Sequence, residues 1–237
     1  MAYLDSQKQN IKLIVESLNN VGIKNSTIQA AILATVSKES NFKPQSENLN
    51  YSAKRIRQVW SQIDAPTAEK LSNNPKLLGN YVYADRYGNC SSDGYLYRGR
   101  GFNQITFKDN YKKYGDQLNI DLVSNPDLLN SPKIAASALA LFFKNELAAG
   151  TKNGSFKKFG VTDPTTLNDT TLATKVAIQI NAGRGTNFNN STVQHGYTAA
   201  LNVVDELKNL ITSKPIATGG TIVAVIAVGC LFYFFSN

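Results

Sequence analysis

The chain is short of the residues on which most metal and nucleophilic chemistry depends. Among its 237 residues there is one histidine, His195, and there are two cysteines, Cys90 and Cys230. Two cysteines, one of them inside an apolar tail, cannot make a disulfide scaffold, so no oxidising compartment is implied. A lone histidine without a His/Cys cluster excludes a zinc hydrolase of the His-Glu-x-x-His type and any multi-histidine metal site. A Ser-His-Asp triad would have to use His195, and no Gly-x-Ser-x-Gly accompanies it. The N-terminus has no basic stretch followed by an apolar one, so no signal peptide is expected. Internal repeats and low-complexity tracts are absent as well. The chemistry left open by these absences runs on carboxylates, with no cofactor and no metal.

What is present describes a folding chain: 42% apolar and 18% charged residues, with 25 Lys+Arg against 17 Asp+Glu for a net charge of +8. The basic residues are scattered and carry no recognisable nucleic-acid motif, so nucleic acid is not an expected partner. From Pro215 to the end no residue is charged. The run from Ile216 to Phe235 would make about 30 Å of helix, the thickness of a bilayer core. The sequence therefore predicts a catalytic or binding domain over 1–212, a linker over 213–220 and a transmembrane anchor over 221–237. A lipid bilayer is the expected partner of that tail, and a buried core helix is the alternative for the same run.

Helical periodicity dominates the body. Ile11, Ile14, Val15 and Leu18 form one stripe, closed by Asn19-Asn20 and Gly22. Ser26-Thr27-Ile28-Gln29 reads as a capping box opening a helix with its stripe at Ile28, Ala31, Ile32, Thr35 and Val36. Ile134 to Leu147 reads as a mostly buried helix started by Ser131-Pro132, and Thr171 to Ile180 and Tyr197 to Leu210 read as helices too. Between Tyr81 and Gln104, β-prone aromatics alternate with the turn pairs Gly88-Asn89 and Asp93-Gly94, which predicts a small β-hairpin or ordered loop. The expected fold is a mainly α domain with a minor β element.

Glu39 continues the apolar stripe, since positions 32, 35, 36 and 39 share one helix face. A carboxylate there requires either a raised pKa or a cleft to face, and both suit a general acid. The alternative is a helix-end glutamate paired with Lys38 or Lys43. Glu47 follows in a polar stretch, where a solvated carboxylate could activate a water. One shielded and one wetted carboxylate is the pairing that glycoside hydrolysis uses. The linking loop could span anything up to roughly 28 Å, so spacing does not fix their separation.

The surrounding string is more specific. Glu39-Ser40-Asn41-Phe42, Glu47-Asn48-Leu49-Asn50-Tyr51-Ser52-Ala53, Val82-Tyr83-Ala84-Asp85-Arg86-Tyr87-Gly88-Asn89 and Arg98-Gly99-Arg100-Gly101-Phe102-Asn103-Gln104-Ile105-Thr106 occur in order. Over Ile28 to Leu147 this resembles glycoside hydrolase family 19, and within it phage endolysins more than plant chitinases. The resemblance implies a lysozyme-like fold and inverting hydrolysis of β-1,4 links between N-acetylated amino sugars, with bacterial peptidoglycan strands as the partner and chitin as the alternative. It implies that Glu39 is the acid, that Glu47 activates the water and that Thr106 holds it. Gln104, Tyr111 and Asn181 match groups lining the sugar cleft. Tyr83, Arg86, Arg98 and Arg100 match a framework around the acid, and Tyr51 and Ser52 belong to the same substrate-facing string. A phage protein seated in a virion or host membrane follows from the endolysin likeness together with the tail, and a non-catalytic wall-binding protein is the other class. Four features depart from the family pattern: Lys38 precedes the acid where endolysins often have histidine, Ser40-Asn41-Phe42 is one residue shorter than the string with Gly-Gly after the serine, Asn181-Ala182-Gly183 replaces Asn-Gly-Gly, and Gln194-His195-Gly196 stands where a basic residue is expected.

Overall fold

The computed structural model describes residues 3–213. Its organising element is α2 (Ser26–Ser40), whose residues from Thr27 to Val36 are all buried. The reason is in the composition. No charge falls between Ser26 and Ser37, and Ala30, Ala31 and Ala34 let neighbouring helices come close on several faces. Its cap is Asn25, one residue before the expected box, with the side-chain oxygen accepting from the Thr27 and Ile28 backbone N–H groups. Gln29, the presumed box partner, instead turns its amide to Asn19 and the Ile23 carbonyl.

Four further helices share the core with α2. They are α1 (Asp5–Asn20), α7 (Pro132–Asn153), α8 (Thr170–Asn181) and α9 (Ser191–Thr212). Their apolar faces meet in the main core, which includes Ile14, Leu18, Ile32, Leu139, Phe143, Val176 and Val204. Of the stripe expected on α1, Ile11, Ile14 and Leu18 are buried there and Val15 is partly buried, and the helices expected over 134–147, 171–180 and 197–210 fall within α7, α8 and α9. Two smaller clusters lie to one side. Leu49, Ile56, Leu71 and Leu78 pack beneath the short helices α3 (Ala53–Val59), α4 (Ala65–Leu71) and α5 (Pro75–Tyr83). Tyr97, Ile105, Tyr111, Tyr114 and Leu129 pack beneath α6 (Lys108–Leu118).

Of two expectations about fold class, one is corrected and the other falls on residues outside those described. The hairpin over 81–104 does not form, and there is no strand among the described residues. The segment after α5 is a chain of turns in which only Arg100 and Ile105 pair, as a single antiparallel bridge. Positive φ at Gly101 (80°) and Gln104 (53°) reverses the chain within that bridge, so no ladder propagates. Nor is any helix among the described residues long and apolar enough to cross a membrane. The two longest, α7 and α9, have 22 residues each but carry charge along their length, such as Lys144 and Glu146 on α7 and Asp205 and Lys208 on α9. The span expected over 221–237 lies outside the described residues.

Candidate active site

Glu39 sits in the last turn of α2, where the helix emerges from the core. The chain then reverses through Asn41 and Phe42, both at positive φ (48° and 58°). Two left-handed residues in succession are unfavourable unless the surroundings hold them. Here α1 does so: Gln7 donates to the Asn41 side chain at 2.8 Å and Asn10 donates to the Phe42 carbonyl at 2.8 Å. Phe42 is buried with its ring edge-on to Tyr3. The carboxylate, 24% exposed, accepts from Lys38 Nζ at 2.5 Å and from Asn181 Nδ2 at 3.2 Å, both on Oε1. Glu39 thus pairs with Lys38, as the helix-end reading expects, and also meets Asn181 from α8.

Glu47 reaches the site from the loop after that reversal. Its backbone N–H donates to the Gly99 carbonyl at 2.8 Å. Its carboxylate accepts the Tyr83 hydroxyl at 2.9 and 3.1 Å on its two oxygens. Burial, followed by the Glu47 charge and hydrogen bond, pushes the Tyr83 phenol well above its ordinary value, so it remains a donor. Tyr83 was expected in the framework of the acid, but it serves the second carboxylate.

A cleft of about 880 Å³ lies against Asn181, the residue that donates to Glu39. Gln104, Thr106 and Asn181 line it, together with Tyr87, Phe107 and Asn110. Gln104 donates to the Gln45 carbonyl two residues before Glu47, at 3.1 Å. Thr106 donates its hydroxyl to the Gln104 carbonyl at 2.9 Å, which leaves its lone pairs free to accept. Three residues of the wall, Tyr87, Gln104 and Phe107, have positive φ (47°, 53° and 74°). Such strain, on the order of 1–3 kcal/mol each, concentrates at functional sites.

The arginines stand behind this wall. Arg100 is 2% exposed and donates to Asp127 at 2.8 Å, the Leu96 carbonyl at 2.6 Å and the Tyr111 hydroxyl at 2.8 Å. Tyr111, expected in the cleft, is fully buried, and its hydroxyl donates to the Arg98 carbonyl at 2.7 Å; burial raises its pKa to about 12. Arg98 lies with its guanidinium 4.0 Å from the Tyr95 ring centroid and donates to the Tyr95 carbonyl. Arg86 lies over the Phe107 ring at 5.4 Å. None of these contacts Glu39; together they brace the turns that carry Gly99 and Gln104. Ser52 caps α3 by accepting from the Arg55 N–H, and Tyr51 packs on Trp60 at 6.0 Å.

Sequence reasoning missed the charged end of the cleft. Arg184 Nε donates to Glu146 Oε2 at 2.6 Å, and the Lys113 ammonium lies 5.1 Å from the Tyr114 ring centroid. Asn110 and Lys113 are three apart on α6, and Phe142 and Glu146 four apart on α7. Helical spacing would have grouped them once α6 was recognised.

Comparison with known proteins agrees with this geometry. Residues 70–195 match the family model described as chitinase class I, of glycoside hydrolase family 19. The chain is 40% identical over 115 residues to a glycosyl hydrolase family 19 domain-containing protein of Haemophilus influenzae, covering 46% of this chain and 58% of that protein. It is 49% identical over 47 residues to Chitinase 11 of Oryza sativa subsp. japonica, covering 20% of this chain and 18% of that one. The chain thus spans little more than half of the first relative and under a fifth of the second. The family match takes in Tyr83, Arg98, Gln104, Thr106, Tyr111 and Asn181 and begins after the two carboxylates, whose place rests on geometry. With over half of the chain matched, on a helical fold that opens this cleft, the protein belongs to glycoside hydrolase family 19.

Proposed function

We propose that the protein hydrolyses β-1,4 links between N-acetylated amino sugars in bacterial peptidoglycan, with inversion. The observation that carries this reading is a pair of separately housed carboxylates tied to the wall of the cleft: Glu39, held by Lys38 and by the wall residue Asn181, and Glu47, held by Tyr83 and lying two residues after Gln45, whose carbonyl the wall residue Gln104 contacts. Glu39 gives its proton to the glycosidic oxygen as the bond to the anomeric carbon breaks. Glu47 takes a proton from a water whose oxygen attacks that carbon from the opposite face, and the Thr106 lone pairs orient the water.

Peptidoglycan is favoured over chitin by the endolysin-like strings and by charge. The far end of the cleft carries two cations, Lys113 and Arg184, against one anion, Glu146. Peptidoglycan bears carboxylates on its muramic acid and peptide stems, whereas chitin bears none. The net charge of +8 also favours residence on an anionic wall, an attraction that salt screens. Chitin is the second reading, supported by the names of the family model and of the rice relative.

Turbidity clearing of purified peptidoglycan by the full chain, beside Glu39→Gln and with released ends analysed by mass spectrometry, tests the proposal. Clearing by the parent alone, with new reducing ends and a decline as salt rises, is expected. Cleavage of chitin oligomers with peptidoglycan left intact would transfer the reading to chitin. Sedimentation with the wall and no cleavage of either polymer would make the protein a binding module.

A further inference from the structure

Lys38 and Glu39 are consecutive on α2, and consecutive side chains of a helix leave it about 100° apart, so they do not ordinarily meet. Here the Lys38 ammonium lies 2.5 Å from Glu39 Oε1. The explanation is across the interface, in α9, where position 196 is a buried glycine. A Cβ built on Gly196 would stand 3.0 Å from both Cε and Nζ of Lys38. The end of the lysine therefore rests on bare backbone of α9, which turns it back towards its neighbour. Glycine inside a helix is less favourable than alanine, so α9 forgoes helix stability at the one place where it receives Lys38. The second donor to Glu39, Asn181 Nδ2, reaches the same oxygen at 3.2 Å. No donor among the described residues reaches Oε2.

We propose that Lys38, seated on Gly196, is the positioning residue of the general acid: it and Asn181 fix Oε1, so that Oε2 is the oxygen that carries the proton and delivers it. The ammonium then stands beside the carboxylate left when the proton has moved to the glycosidic oxygen, and it stabilises that negative charge as it develops. The inference rests on Glu39 being the acid, so its test carries Glu39→Gln as a separate arm.

The experiment is steady-state hydrolysis of a soluble peptidoglycan oligosaccharide, with melting temperatures, for the full chain and for Lys38→Met, Gly196→Ala, the double variant and Glu39→Gln. Lys38→Met is expected to lower kcat about 10- to 100-fold, the scale on which misplacing a catalytic group acts, with KM changed less than about twofold. Gly196→Ala, which pushes on the lysine end, is expected to lower kcat several-fold while melting at the same temperature or higher. Added to Lys38→Met it should have no further effect on kcat, because the group it displaces is gone. An unchanged kcat in Lys38→Met, beside an inactive Glu39→Gln, would overturn the inference. So would losses that multiply in the double variant, since the two positions would then act separately. Activity retained by Glu39→Gln would instead remove the acid assignment beneath it.

Discussion

Replacing Tyr83 by phenylalanine removes one oxygen and leaves a ring that still packs edge-on against Phe107, at 5.6 Å between centroids. That oxygen supplies both short contacts to Glu47, at 2.9 and 3.1 Å. The other donor to the carboxylate, the Gly99 N–H, is 3.4 Å away and long for a hydrogen bond. A hydrogen bond to an ionised group contributes about 1.5–3 kcal/mol. The hydroxyl is shared between two oxygens in a half-buried place, so the lower end applies, about 1.5 kcal/mol. For a domain of this size that lowers the melting temperature by roughly 3–6 °C. If the same interaction holds Glu47 where it can take a proton from water, about the same free energy appears in the barrier, or roughly tenfold in kcat. Reducing-end release from peptidoglycan, measured beside a thermal melt, gives both numbers. A lower melting temperature with an unchanged kcat would refute the argument, because Tyr83 would then brace the fold without orienting a base.

Two further predictions concern the frame behind the cleft. Arg100→Met leaves the Leu96 carbonyl without its 2.6 Å donor and strips Tyr111 of another; it should destabilise the protein by about 3 kcal/mol. Asp127→Asn, at the 79%-exposed end of the same ion pair, should change stability by less than about 1 kcal/mol in chemical denaturation. Burial raises the phenols of Tyr83, Tyr111 and Tyr114, the second to about 12. Below pH 10 all three are neutral in both states and their contribution is complete; above it the unfolded chain ionises first, so stability declines as pH rises. Denaturation midpoints that stay flat across pH 10 would contradict this.

The long helices were legible because each must bury a continuous face, and a repeat of 3.6 residues in the apolar positions records that need. The short helices α3 to α5 leave no such record. Their start signals were nevertheless present in Ser52, Asp64-Ala65-Pro66 and Asn74-Pro75, and all three polar residues do cap. The segment over 81–104 reads as a hairpin or an ordered loop because its aromatics are β-prone, and the loop is what forms. Tyr97 is aromatic for a different reason, as a core residue packed against Tyr111 at 5.3 Å. The stripe on its own helix singled out Glu39 but left a helix-end ion pair open, and the surrounding string resembling the family supplied its reading as the acid. Its relation to Asn181, 142 residues away, and that of Glu47 to Tyr83, 36 away, depend on how helices and turns converge, which no local pattern encodes. Tyr111 shows the opposite error: a residue in the right string, placed in the cleft by likeness, lies in the core beneath it.

The central claim, that Glu39 and Glu47 act on opposite faces of one glycosidic bond, is tested most directly by the first anomer formed. Proton NMR of a soluble β-linked amino-sugar oligosaccharide, followed during cleavage by the full chain, distinguishes the new reducing end before mutarotation. The account predicts the α-anomer first, and no product from Glu39→Gln or Glu47→Gln. Initial release of the β-anomer would contradict it, because a covalent intermediate would then stand where the activated water is assigned.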